Sequence, residues 1–157
     1  DYIIKTAEFK KSDIVYDLYC GTGTIGIYLA NNVKHVYGIE IVDNAIEDAT
    51  LNAEINGVDN ILFYASDIKN FFNEKNNIID KPDTIIIDPP RPGIHGDVLQ
   101  KIISLSPTKI IYVSCNPSTQ ARDIKIFIEN KYKISDIQPI DMFPHTPHIE
   151  CIITLKK

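Results

Sequence analysis

The sequence predicts an α/β domain, an open and mostly parallel sheet with helices on both faces and an antiparallel strand at one edge. Two observations carry this. Apolar, β-branched runs alternate five times with helix-period stretches, the signature of a parallel sheet covered on both sides. The last two apolar runs are joined by only "PHTP" (144–147), too short for a parallel crossover.

The elements follow in order. Residues 1–13 read as the tail of a helix leading into a first strand, "IVYDLY" (14–19), and a helix over 24–32. "HVYGIE" (35–40) is a strand, followed by a helix over 43–57 with Asp43 as N-cap and Gly57 as stop signal. "ILFYAS" (61–66) is a strand, with a short helix over 68–74. "TIIID" (84–88) precedes a helix over 96–106. "KIIYVS" (109–114) precedes a helix over 118–130, capped by Ser118 or Thr119. Strands over 133–143 and 148–157 complete a set of seven. The expectation is one domain, 1–157, forming the C-terminal part of a longer protein.

Composition narrows the class. The chain has 157 residues and 44% hydrophobic content, enough for one real core, and no apolar run long enough to span a membrane. A net charge of −5 is a poor footprint for a free-standing nucleic-acid binder. Three cysteines, Cys20, Cys115 and Cys151, have no metal-type spacing, and their odd number argues against a disulfide framework; a reducing cytoplasm fits best. The basic residues are nearly all lysine, and the two arginines, Arg91 and Arg122, both fall in motifs, where a planar fork has use.

The first motif, "DLYCGTGTIG" (17–26), puts Gly21, Gly23 and Gly26 in G-x-G-x-x-G spacing between strand and helix, with Glu40 closing the second strand. Two cofactors fit such a loop, NAD and S-adenosyl-L-methionine. NAD would set a pyrophosphate on the loop, where Asp17 would repel it. S-adenosylmethionine carries a sulfonium and an ammonium, which Asp17 would attract. Glu40 suits ribose hydroxyls in either case, and Asp67, after the third strand, can meet an adenine amino group. S-adenosylmethionine is the better match.

The second motif, "DPPRPG" (88–93), follows the fourth strand. Pro89 and Pro90 stiffen the loop and aim Asp88, and Arg91 offers a bidentate fork. With an acid first and no aromatic after the prolines, a ring carbon or ring NH is a better target than an exocyclic amine. The third, "SCNP" (114–117), places a thiol at the tip of a buried strand, where helix dipoles would favour a thiolate nucleophile. Such a thiol lets an unreactive pyrimidine carbon 5 attack a methyl donor: addition at carbon 6 puts electron density on carbon 5. A base must then take the carbon-5 proton. "FPHTPHIE" (143–150) offers His145, His148 and Glu150; Glu150, entering an apolar strand, is the best placed. His145 and His148 lack a convincing third ligand, so no metal is expected.

Together, 17–26, 88–93, "VSCNPSTQARD" (113–123) and 143–150 resemble the RNA (uracil-5-)-methyltransferases, which make 5-methyluridine in transfer and ribosomal RNA. The likeness runs from about Asp13 to the C-terminus. It implies a Rossmann-like S-adenosylmethionine-dependent methyltransferase fold, with Cys115 as nucleophile and Glu150 as proton acceptor. It implies that Tyr19, Glu40 and Asp88 touch the cofactor, with Asp17, Gly21 and Gly23 in its loop and Asp67 near the adenine. Asp88 and Arg91 would orient the uracil. Thr24 stands where several relatives have asparagine. The family's upstream glutamine motif, N-terminal RNA-binding barrel and four-cysteine iron–sulfur segment have no match here, so the RNA, ribosomal or transfer, would be gripped by parts outside this chain. The same carbon-6 chemistry also serves RNA 5-methylcytosine methyltransferases, which normally add a second cysteine where this chain has Asp88-Pro-Pro-Arg91. Two further classes stay open: an NAD-dependent oxidoreductase, and a non-catalytic cofactor-binding or RNA-adaptor module.

Overall fold

The computed structural model describes residues 2–75, 79–142, 145–146 and 149–157. In chain order the elements are α1 (Tyr2–Ala7), β1 (Ile14–Leu18), α2 (Thr24–Ala30), β2 (His35–Glu40), α3 (Asp43–Ile55), β3 (Ile61–Ala65) and α4 (Ile68–Lys75). They continue with β4 (Thr84–Ile87), α5 (Gly96–Leu105), β5 (Lys109–Ser114), α6 (Pro117–Glu129), β6 (Lys133–Ile140) and β7 (Glu150–Lys156). The seven strands form one sheet in the order β3-β2-β1-β4-β5-β7-β6. β1 to β5 pair in parallel, and β7 runs antiparallel to both β5 and β6. The antiparallel strand therefore slots in beside the outermost strand, β6, to which its short connection ties it.

The chain winds outward one way from β1 to β3 and the other way from β4 onward. Its switch point lies between β1 and β4, where open α/β sheets hold their ligands. Side chains of a strand alternate between faces. One set, including Tyr16, Leu18, Ile85, Ile87, Ile110, Tyr112 and Ile153, packs under α4, α5 and α6 through Phe71, Leu99, Ile102 and Phe127. The other, Val15, Val36, Ile86, Ile111 and Ile152, packs under α1, α2 and α3 through Ala7, Leu29, Ala30 and Ala53. The strands are buried on both sides, which is why they read as unbroken apolar runs.

Several predicted boundaries move. Tyr19, Ser66 and Asp88 fall just outside their strands; Tyr19 has a φ of 61°, which ends β1. Asp43 is the first residue of α3 rather than its cap. Val42 holds the cap position without a side-chain cap bond, and Glu40 accepts from the backbone N–H groups of Ile41 and Val42 just before the helix, at 2.8 and 3.1 Å. Ser118 and Thr119 are not the cap of α6: Asn116 is, accepting from the Ser118 N–H at 3.1 Å with Pro117 in the first helical turn.

One buried polar cluster ties α6 to the sheet. Asp123, fully buried, accepts from the Tyr112 hydroxyl and the Ile94 N–H, both at 2.8 Å, and from the Arg122 guanidinium. Gln120, also buried, donates to the carbonyls of Tyr112 and Cys151, bridging β5 and β7. Removing one partner of such a set leaves a buried acceptor short of a donor. Tyr112→Phe is expected to cost about 1.5–3 kcal/mol, the usual worth of a hydrogen bond to a charged group. Denaturant unfolding measures this; a loss under ~0.5 kcal/mol, typical of an inconsequential surface change, would contradict it.

Candidate active site

The glycine loop leaves β1 through Tyr19 and folds back on itself. Cys20 N–H donates to the Ile39 carbonyl at 3.2 Å, and Gly23 N–H to the Cys20 carbonyl at 2.9 Å. Gly23 has φ 79°, and a β-carbon there would lie 2.7 Å from the Phe63 ring, so this turn admits only glycine. Gly21, at φ 52°, faces open space that a side chain would fill. Its N–H donates to one oxygen of Glu40 at 3.2 Å. Glu40 thus sits at the tip of β2, its carboxylate held by three backbone N–H groups.

A cavity of about 300 Å³ opens here, lined by Tyr19, Glu40, Ile41, Asp67 and Val98 among others. Asp67 caps α4, accepting from the N–H groups of Lys69 and Asn70. Burial, reinforced by the Asp67 charge, pushes the Tyr19 hydroxyl up to about 12. Glu40 and Asp67 line the same cavity, two carboxylate acceptors that fit ribose hydroxyls and an adenine amino group.

Asp17 lies beneath the loop rather than in it. It is 1% exposed; one oxygen accepts from the Gly26 N–H at 2.9 Å, and the other has no partner. Burial, with the charge of Asp88 added, raises its carboxyl to about 7 despite the Gly26 bond.

A second cavity, of about 380 Å³, brings together Asp88, Cys115 and Glu150 over a floor of Val113 and Ile152. The alternation of the strands explains this. Val113 pairs with Ile152, and Ser114 with Cys151, so Cys115 and Glu150 are the next residues outward on adjacent antiparallel strands. Ile86 and Ile111 belong to the same face, and Asp88 and Cys115 continue its parity one step past their strand ends. Burial and the nearby Glu150 charge push the Asp88 carboxyl up to about 6. The Asp88 N–H donates to the Leu18 carbonyl, tying its loop to the point where the glycine loop begins.

The other two cysteines are elsewhere. Cys151 is buried in the opposite face, and Cys20 lies under the glycine loop; burial raises both thiols. Two predicted residues are not among those lining either cavity. Thr24, the first residue of α2, lines a groove that adjoins the thiol cavity through Ile3, Ile25, Ile140 and Ile152, and a second one beside Asn52, while Arg91 is exposed, its carbonyl accepting from Asn116 and Thr119. Arg122 is the arginine whose fork is used, on Asp123 and the Pro92 carbonyl. His145 is exposed, and His148 lies outside the described residues. Among the described residues no group of three or more His, Cys, Asp or Glu side chains could hold a metal ion. Nor is any helix among them long and apolar enough to cross a membrane. Sequence reasoning assigns Asn116, Gln120 and Asp123 no role, and Thr119 none beyond a helix cap. The available signal is Gln120 and Asp123 on the buried face of α6, with Ile124 and Phe127.

A glycine loop at the switch point, an acid ending β2 and an antiparallel β7 define the class of S-adenosylmethionine-dependent methyltransferases. The model of the family tRNA (uracil-5-)-methyltransferase matches residues 1–157, and the chain belongs to this family. It is 50% identical over 145 residues to an uncharacterised RNA methyltransferase of Bacteroides thetaiotaomicron, covering 92% of this chain and 32% of that protein. A second such protein, from Oceanobacillus iheyensis, is 46% identical over 159 residues, with 99% and 34% covered. Among solved structures, Pyrococcus abyssi tRNA (uracil-54, C5)-methyltransferase in complex with S-adenosyl-L-homocysteine superposes with a TM-score of 0.82 at 39% identity, over 98% of this chain and 37% of that one. The chain spans about a third of the length of these relatives.

Asp17 yields a pH prediction. Its carboxyl, like that of Asp88, binds a proton more tightly folded than unfolded. The stability this gives is complete below the ordinary value of 3.8 and is lost as pH rises toward about 7. Asp17→Asn, which keeps an acceptor for Gly26, is expected to flatten the fall in melting temperature across that window. An unchanged pH slope in the variant would contradict the burial assigned to Asp17.

Proposed function

We propose that the protein transfers a methyl group from S-adenosyl-L-methionine to carbon 5 of a uridine in ribosomal or transfer RNA, through a covalent bond between Cys115 and carbon 6. The observation that supports this most is the shared cavity of Cys115, Asp88 and Glu150, one strand from the glycine loop. The open side of Gly21 suits the cofactor, whose sulfonium supplies an electrophilic methyl group. Glu40 would bind its ribose and Asp67 its adenine, with Tyr19 against it.

The residues then divide the work. The Cys115 thiolate adds to carbon 6, and the ring electrons gather on carbon 5, which takes the methyl. Glu150 accepts the proton from carbon 5, and the carbon–sulfur bond breaks as the ring double bond returns. Asp88, with its carboxyl near 6, is mostly ionised at neutral pH. It can then accept from the ring N3–H of uracil, a donor that neutral cytosine lacks. This favours 5-methyluridine over 5-methylcytosine as the product, as does a carboxyl where the cytosine enzymes carry a second cysteine. The target base must leave its stack to expose carbon 6. The relatives' length beyond this chain leaves room for the parts that grip the RNA.

The test uses the full-length protein with 5-fluorouridine RNA and S-adenosylmethionine. Fluorine cannot leave carbon 5 as a proton does, so the adduct should persist and map to the peptide holding Cys115, and Cys115→Ala should form none. No adduct, or one at Cys20 or Cys151, would overturn the assignment.

A further inference from the structure

We infer that Asn116 and Thr119 are positioning residues for this reaction, holding the thiol loop and the Asp88–Arg91 loop at a fixed separation through one shared acceptor, the Arg91 carbonyl. The inference rests on Cys115 being the nucleophile.

Asn116 divides its amide between two jobs. Its oxygen caps α6 by accepting from the Ser118 N–H at 3.1 Å, and its nitrogen donates to the Arg91 carbonyl, also at 3.1 Å. The Thr119 hydroxyl reaches the same carbonyl at 3.1 Å, with the Asn116 carbonyl equally near. A carbonyl oxygen has two lone pairs and can accept both bonds, whereas one hydroxyl proton serves one acceptor at a time. Asn116 directly follows Cys115, and Arg91 lies three residues beyond Asp88 with Pro89 and Pro90 between. Two fixed proline φ angles make that stretch a short, stiff lever, so a hold on Arg91 is a hold on Asp88.

The tie continues along the loop. The Arg122 guanidinium donates to the Pro92 carbonyl at 3.0 Å, and Asp123 takes the Ile94 N–H. Gly93 lets the two segments close up: at φ 83°, a β-carbon there would lie 2.6 Å from Arg122 Nη2. Among the described residues, no basic side chain lines the thiol cavity.

The test separates the tie from the helix cap. Asn116→Asp keeps the capping oxygen, aspartate being as good an N-cap as asparagine, but removes the donor to Arg91. Thr119→Val removes the hydroxyl without adding charge, and Thr119→Ser restores it. In the full-length protein, single-turnover adduct formation with 5-fluorouridine RNA should slow ~10- to 100-fold in Asn116→Asp and Thr119→Val, the penalty of a misplaced reacting group. Cofactor affinity, the RNA KM and the melting temperature should stay near wild type, and Thr119→Ser should regain most of the rate. The deficit should be the same across the range in which a thiol titrates. Full recovery of Asn116→Asp at high pH would show that the new carboxylate acts on the thiol's charge, and would overturn the tie. Wild-type rates in both variants would overturn it while leaving Cys115 as nucleophile. No adduct in the wild-type protein would instead overturn the nucleophile assignment, and the tie with it.

Discussion

The site depends on one constraint, the period-two alternation of side chains in a twisted sheet. Asp17, Asp88, Cys115 and Glu150 are far apart in sequence, yet each continues the parity of the face that carries Val15, Ile86, Ile111 and Ile152. They emerge on one side of the sheet, and because β7 is antiparallel, its beginning lies beside the end of β5. A slip of one residue in either register would turn Glu150 toward the opposite core. The fold thus delivers a thiol and a carboxylate side by side without any local motif linking them.

Electrostatics gives this face a direction. Asp17 and Asp88 both hold their protons above the ordinary carboxylate range, burial being the main cause in each. Among the described residues, no basic side chain lines the thiol cavity.

Much of this is legible in the residues. The strands announce themselves as apolar runs because both faces are covered, and Cys115 stands out because strand-breaking residues follow it at once. Sequence puts both Arg91 and Arg122 in forks, but only Arg122 has one here, since sequence does not say which arginine faces a buried acid. Asp17 reads as a charge for the cofactor, whereas the helix that follows it folds over and covers it. The cap of α6 escapes a sequence reading because Asn116, just outside the predicted helix, reaches over Pro117 to the Ser118 N–H. Gln120 and Asp123 pass unmarked in an amphipathic helix; a polar residue on the apolar stripe is the available sign.

The central claim is a juxtaposition, and a cross-link tests it directly. Residues facing each other on antiparallel strands have Cα atoms about 4.5–5.5 Å apart, within the span of a disulfide. In a full-length protein with Cys20 and Cys151 replaced by serine, Glu150→Cys is predicted to give an intramolecular disulfide with Cys115 on mild oxidation. Two free thiols after the same treatment would show that the sulfur and the β7 position do not share a cavity.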